Sequence, residues 1–330
     1  MTRYNNKYNN KYNNQYNNQY NYEYKYKDVV YIYYIMNIIS GEKFQMLCDY
    51  YIGSLDDFNF NPIIRTQSSK FINIDNYDIE NIKRMKINNI FCYTHIIDGT
   101  KADFNNNKCI KNFDNLIIIL SNITTPYNII FHNSDGCFKD EHKTLLKLPN
   151  LKKIYAQNVT IEPEERIIPI PIAIANTMWA HGNLNIWKYI LESHNLINKP
   201  KHIYFNFNIN TNSAKRNECY NIIKSKNIPN LPNMDYMNYL KILLSYKFAI
   251  CPEGNGIDTH RFWECLYLKV IPICLKNYVT QYYSKLFPIL LLDDWNNIDE
   301  YSLQVFYNTA DWNNYDLLDF ENFYKKFFSP

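Results

Sequence analysis

The stretch KFAICPEGNGIDTHRFWECLYLKVIPI, residues 247–273, decides how the rest of the chain is read. An apolar run, KFAICP, gives way to two glycines one residue apart. Asp258, His260, Arg261 and Glu264 follow, and then a second apolar run, VIPICL. With only 7 glycines in 330 residues, two in one loop answer a geometric demand. Strand, glycine loop, helix and strand are the β/α alternation of a parallel sheet. Asp258 is expected to cap the helix, whose first turn leaves backbone N–H groups without intrahelical partners. Such a helix start carries roughly half a positive charge. Gly254 and Gly256 lack a Cβ, so their backbone is expected to approach an anion closely and to adopt φ > 0. Together these features predict a phosphate cradle. Helical spacing spreads His260, Arg261 and Glu264 over roughly a quarter of the circumference. The two cations suit a diphosphate, and the carboxylate can accept hydrogen bonds from ribose hydroxyls. The loop lacks the Gly-Lys-Ser/Thr of a P-loop. It also lacks the third glycine and the distant acidic residue of the dinucleotide fingerprint.

The same alternation runs outward in both directions. Upstream, VVYIYYI, NNIFCYTHII, DNLIIILSN, YNIIFHNSD, LKKIYAQN and ERIIPIPIAI read as strands, several of them continuously apolar as in a sheet buried on both faces. Two end in polar clusters: His132, Asn133 and Asp135 in one, Gln157 and Asn158 in the other. A helix over NLNIWKYILESHN precedes a second block. That block reads as strand HIYFNFN, polar loop INTNSAKR, helix NECYNIIKSKN, helix YMNYLKILLSY and then the opening stretch. The expected organisation is therefore a disordered Tyr/Asn-rich tail (1–27), an α/β domain (28–198), a second α/β domain (199–298) and a helical segment (299–330) that returns to the first domain. The tail, YNNKYNNKYNNQYNNQY and onward, has nothing aliphatic to bury.

Composition narrows the function classes. The net charge is +3, yet residues 1–27 carry +4 of it, so the remainder is close to neutral. That balance argues against a broad nucleic-acid-binding face. The 8 cysteines show no Cys-x-x-Cys pair and no zinc spacing, and read as buried free thiols of a reducing, cytoplasmic compartment. The apolar run at 29–39 is too short to span a bilayer, so no integral membrane segment is expected.

The residues CPEGNGIDTHRFWECLYLKVIPI resemble the donor-site motif of exostosin-like glycosyltransferases, particularly the short forms of large DNA viruses and protists. The segments FHNSD, KKIYAQN, IPIPIAIANTMWAHGN, YFNFNINTNSAKR and PILLLDDW resemble parts of the same proteins in the same order, so the likeness covers about residues 115–300. The resemblance implies a GT-B-like α/β architecture, two Rossmann-like domains facing across a cleft, and transfer of a sugar from a nucleoside diphosphate sugar to a glycan or glycoprotein hydroxyl. It places Gly254, Asn255 and Gly256 near the diphosphate and Arg261 on its charge, with His260 beside them and Glu264 on the ribose or the sugar. Arg216 matches a basic residue aimed at the phosphates, with Lys215 as the alternative. Lys269 and Ala173 stand where the pattern has Gly, and Ala180 where it has Pro. Asp135 and His132 are the candidate bases for the acceptor hydroxyl, since both lie past the end of a buried strand. Asn133, Trp179 and His181 are the acceptor-side candidates. No Asp-x-Asp occurs, so metal-independent transfer is expected, with the nucleotide sugar as substrate and no cofactor. Two other readings remain: a catalytically inactive nucleotide-sugar or glycan-binding protein, and a scaffold acting through the Tyr/Asn tail.

Overall fold

Apolar runs of five or six residues with no polar face can be buried only where both faces of a sheet are covered, and two such sheets form. A computed structural model describes residues 37–100, 112–193, 196 and 198–328. The Tyr/Asn tail, the VVYIYYI segment and Cys109 lie outside the described residues. The first sheet comprises β1 (Tyr50–Gly53), β2 (Phe71–Asn73), β3 (Asn89–Tyr93), β4 (Tyr127–His132), β5 (Leu151–Ala156) and β6 (Ile167–Pro169). Its order is β2-β1-β3-β4-β5-β6, with every pairing parallel. The second contains β7 (Lys201–Tyr204), β8 (Tyr246–Ile250), β9 (Ile271–Leu275) and β10 (Leu290–Leu292) in the order β10-β9-β8-β7, again all parallel. This is a Rossmann-like α/β fold, and both sheets belong to one compact unit, residues 38–330. Consecutive residues of the central strands, such as Ile90, Phe91 and Cys92 or Ile129, Ile130 and Phe131, are fully buried. In the first sheet the chain steps from β1 outward to β2 and then back across to β3. The carboxyl ends of strands beside such a reversal are where α/β folds bind ligands.

Several elements differ from the sequence reading. DNLIIILSN is the helix Phe113–Ser121, not a strand: Leu116, Ile119 and Leu120 are buried while Ile118 is 40% exposed. An apolar run bounded by Asn and Asp fits either period, and here the 3.6-residue spacing of the buried positions prevails. The edge strand β2 and the four-residue β1 beside it are too short to announce themselves. In INTNSAKR, Asn212 caps a helix that begins at Ser213, so Arg216 sits in a first helical turn and not in a loop. The described part of the segment expected to return to the first domain, residues 299–328, divides between the sheets. Leu303, on the helix Glu300–Thr309, joins the core of the second sheet with Phe205, Phe248 and Ile250. Phe320, Phe323 and Phe328 close around Phe44 on the first, and Phe328 stacks on Tyr155 at 3.9 Å. Among the described residues no helix is long and apolar enough to cross a membrane.

Two further features fix the helix His260–Tyr267 in place. Buried Lys199 donates to the carbonyls of Leu244 (2.7 Å) and Leu268 (2.6 Å), capping the ends of the helices Tyr236–Leu243 and His260–Tyr267. The latter helix then ends in a Schellman motif: Lys269 N–H donates to Leu266 O and Val270 N–H to Cys265 O. The motif needs a left-handed residue, and Lys269 supplies it with φ 53°. Ala173, the other position where glycine is expected by resemblance, has φ 54°. Both backbones therefore keep the conformation that glycine favours while carrying a Cβ.

Lys269 also lies over the Tyr315 ring at 4.6 Å, a contact worth about 0.5 kcal/mol at a partly exposed site. Lys269→Ala should lose that contact and keep the strain, whereas Lys269→Gly should lose the contact and release about 1 kcal/mol of strain. In denaturant titrations the Gly variant is therefore expected to exceed the Ala variant by about 1 kcal/mol. An Ala variant as stable as the Gly variant would contradict the strain.

Candidate functional site

The carboxyl ends of both sheets border a cavity of about 720 Å³. From the first sheet it is lined by Asp135 and Ile172, and from the second by Asn206, Asn208, Gly254–Gly256 and Asp258–Arg261. The glycine loop reaches it in a way the sequence did not foretell. Neither Gly254 nor Gly256 has positive φ, and Gly254 N–H donates to Gly256 O at 3.1 Å, so this donor serves the turn. What the glycines provide is room. A Cβ on Gly254 would lie 2.9 Å from Arg216 Nη2, and one on Gly256 would lie 2.5 Å from Asn158 Oδ1. Asn158, itself left-handed at φ 54°, uses that oxygen to accept from Ile257 N–H at 3.0 Å.

The helix cap also differs. Thr259, not Asp258, is the N-cap and accepts from Phe262 N–H. Asp258 is buried, and its Oδ2 accepts from Trp263 Nε1 (2.6 Å) and from Ile172 N–H (2.9 Å). It thus ties the helix start to the segment after β6. His260 makes a second tie, donating from Nδ1 to Ala173 O at 2.8 Å. That bond sets the tautomer of the neutral ring and leaves Nε2 as an acceptor.

Two guanidinium groups line the cavity. Arg216 donates to the carbonyls of Glu253 (2.8 Å) and Asn208 (2.7 Å) and lies against the Phe207 ring. Arg261 donates to Tyr239 Oη (3.2 Å) and to Asn206 O, and lies against the Tyr204 and Tyr239 rings, which meet edge to face. None of the ion pairs among the described residues involves either arginine. Burial, and then the positive Arg261 nearby, lower the affinity of Arg216 for its proton. Lys215, the alternative basic residue, is committed to an ion pair with Glu253. Two neighbouring cations, one buried and one half-buried, held only by neutral acceptors favour an anion beside them.

Glu264 lines the cavity but is 3% exposed and already engaged: it accepts from Tyr236 Oη (2.8 Å) and Tyr239 Oη (2.7 Å). Trp187 Nε1 donates to Tyr236 Oη in turn. The chain Arg261 to Tyr239 to Glu264 connects guanidinium and carboxylate through one phenol. Glu264 therefore orients the tyrosines that hold Arg261, in addition to facing the cavity. Tyr204, Tyr236 and Tyr239 are site residues that the sequence reading passed over. With 31 tyrosines in the chain, their presence carried no signal.

On the opposite wall Asp135 accepts from Asn255 Nδ2 at 2.9 Å, and burial raises its pKa above the ordinary carboxylate range. His132 stands behind it with both ring nitrogens in use. Nε2 donates to Pro171 O (2.9 Å) and Nδ1 accepts from Asn133 N–H (2.8 Å). Burial pushes its pKa down to about 4. A neutral imidazole with both nitrogens engaged holds the loop and has no free position for a proton from an acceptor. Asn133 is likewise internal, donating to Gln45 Oε1 and accepting from Asn176 Nδ2. Trp179 and His181 are at the cavity wall, their rings near parallel, with His181 5.6 Å from the His260 ring. No protein-family model and no curated protein matches the sequence.

The strap that carries Trp179 is fastened by Glu42, which accepts from Thr177 N–H (3.1 Å) and Thr177 Oγ1 (3.0 Å). Burial, partly offset by these Thr177 bonds, raises its pKa from 4.5 to about 7. The folded chain therefore binds the extra proton between about pH 4.5 and 7, where the unfolded chain has released it. Stability from this group is fully present below that window and is lost as pH rises through it. Wild type should lose stability relative to Glu42→Gln across the window, as read from melting temperatures at each pH. Parallel pH profiles would refute the shift.

Proposed function

We propose that the chain is a glycosyltransferase of the exostosin-like, GT-B-like kind, moving a sugar from a nucleoside diphosphate sugar to a hydroxyl acceptor. The observation that carries this reading is the pair of guanidinium groups, Arg216 buried and Arg261 half-buried, beside one cavity without a carboxylate counter-ion. A diphosphate supplies the missing charge. The N-terminal end of the helix His260–Tyr267 borders the same cavity and adds its partial positive charge. The Tyr204 and Tyr239 rings and the Tyr239 hydroxyl fix Arg261 in advance, and donors fixed in advance against developing charge lower a barrier most effectively.

In the inverting form of the reaction the acceptor oxygen attacks the anomeric carbon. The bond from that carbon to the phosphate oxygen breaks, and its electron pair leaves on the diphosphate, where Arg261 and Arg216 stabilise it. The hydroxyl proton goes to Asp135. Burial raises its pKa, which makes it a stronger base than an exposed carboxylate. An inactive sugar-nucleotide-binding protein would share the arginine pair but would show no turnover.

A thermal-shift screen of UDP-, GDP- and CMP-sugars tests binding, since a ligand of the folded state raises the melting temperature by mass action. Arg261→Ala is expected to lower turnover by about 10²- to 10³-fold, at least as much as it lowers donor affinity. Asp135→Asn should remove at least about 10²-fold of the rate and leave donor binding intact. Transfer should persist in EDTA. If no nucleotide sugar stabilises the wild type, or if both variants bind and turn over as wild type does, the reading fails.

A further inference from the structure

The main cavity has a side branch of about 80 Å³, walled by His132, Asn133, Gln157, Asn176, Trp179 and His260. Asp135, Ile172, Trp179 and His260 line both spaces, so the branch adjoins the main cavity beside Asp135. Most of its polar groups are spent on the fold. His132 uses both ring nitrogens, Asn133 Oδ1 accepts from Asn176 Nδ2, and Asn176 Oδ1 accepts from Glu42 N–H. Gln157 differs. It is 2% exposed, its backbone N–H is bound to Phe131 O, and its side-chain Oε1 has no hydrogen-bond partner. A buried amide oxygen without a partner costs about 1–3 kcal/mol, and a ligand donor would remove that cost. Beside it, Asp135 has only Oδ2 engaged and His260 only Nδ1.

We propose that this side branch is a subsite for an uncharged, hydroxyl-bearing arm of an acceptor sugar, its hydroxymethyl group, with Gln157 as the residue that selects it. The proposal rests on the transferase reading above. Of the groups left open, Gln157 Oε1, the second Asp135 oxygen and His260 Nε2 are acceptors and Gln157 Nε2 is a donor, a set that a hydroxyl, which both gives and accepts, can meet. No Lys or Arg lines the branch, so a carboxylate there would meet Asp135 without a counter-ion, and a methyl group would leave Gln157 unpaired. The branch is too small for a whole pyranose ring. The ring belongs in the main cavity against Trp179, whose side chain is 37% exposed and lines both spaces.

Matched glycosides test this directly. Methyl gluco-, galacto- and mannopyranosides, each with its 6-deoxy and 6-carboxylate partners, are titrated into the full chain by ligand-observed NMR, with and without UDP or GDP. At least one parent hexoside is expected to bind about tenfold or more tightly than both its partners. Gln157→Leu should bring that hexoside and its 6-deoxy partner to within about twofold and leave nucleoside diphosphate affinity unchanged. If the Leu variant does not unfold cooperatively, Gln157→Asn, which withdraws the amide by one methylene, carries the same expectation. Parents that bind no more tightly than their partners, no glycoside binding, or discrimination that survives the substitution would each overturn the proposal. Absence of nucleoside diphosphate binding to wild type would instead sink the transferase reading, because the glycoside series is also read without nucleotide.

Discussion

The carboxylate of Asp258 is the fastening on which the arrangement of the two sheets around the cavity depends. One oxygen accepts both Trp263 Nε1, on the helix that carries Arg261 and Glu264, and the backbone N–H of Ile172, which follows β6. Burial raises the pKa of this carboxyl, so it is held against its own desolvation by two short donors. Around it the same loop makes three further ties to the first sheet: Asn255 to Asp135, Ile257 to Asn158, and His260 to Ala173. Tyr283 adds a fourth, to Pro169. Each bond is worth about 1 kcal/mol net. Their greater effect is geometric, because four of the five connections fall within six residues and set the candidate acid–base group and the cationic wall at a fixed separation.

The cationic wall works against stability. Arg216 is buried and Arg261 half-buried beside it, neither with a carboxylate partner, and a fold selected for stability alone would place an apolar residue or an ion pair there. The chain compensates with neutral oxygens and ring faces: the carbonyls of Asn206, Asn208 and Glu253, the Tyr239 phenol, and the Phe207, Tyr204 and Tyr239 rings. These satisfy the N–H groups while leaving the net charge open. Glu264 belongs to the same logic. It acts on Arg261 through Tyr239 instead of pairing with it, which orients the cation without neutralising it.

Asparagine takes up much of the remaining polar work. Asn133, Asn158, Asn176 and Asn255 join loop to loop, and Asn133 and Asn158 also occupy left-handed backbone, a conformation that asparagine tolerates better than most residues. In a chain with 7 glycines, asparagine thus supplies turns that glycine often makes. Ala173 and Lys269 show the limit of that economy, since neither residue type favours the conformation it holds.

Local periodicity and composition suffice for one part of this molecule. The alternation of apolar runs with helical spacing announced a parallel α/β fold, and two glycines between a strand and a helix marked the cavity wall. The cluster of Arg216, Arg261 and Asp135 was legible because each follows the carboxyl end of a strand, where α/β folds open. The other part rests on partners distant in sequence and exists only in the folded chain. That Phe113–Ser121 is a helix follows from which of its apolar residues meet a neighbouring sheet. That Gly254 and Gly256 make room for Arg216 and Asn158, and do not bend the backbone into positive φ, follows from side chains 38 and 98 residues away. His132 looked like a base and proved a fastener, since Pro171 claims one ring nitrogen and Asn133 the other. Gln157, at the end of a strand and visible as a polar residue, gained meaning only when packing excluded every partner for its oxygen. Burial and hydrogen-bond satisfaction belong to the assembled chain, and no window of sequence contains them.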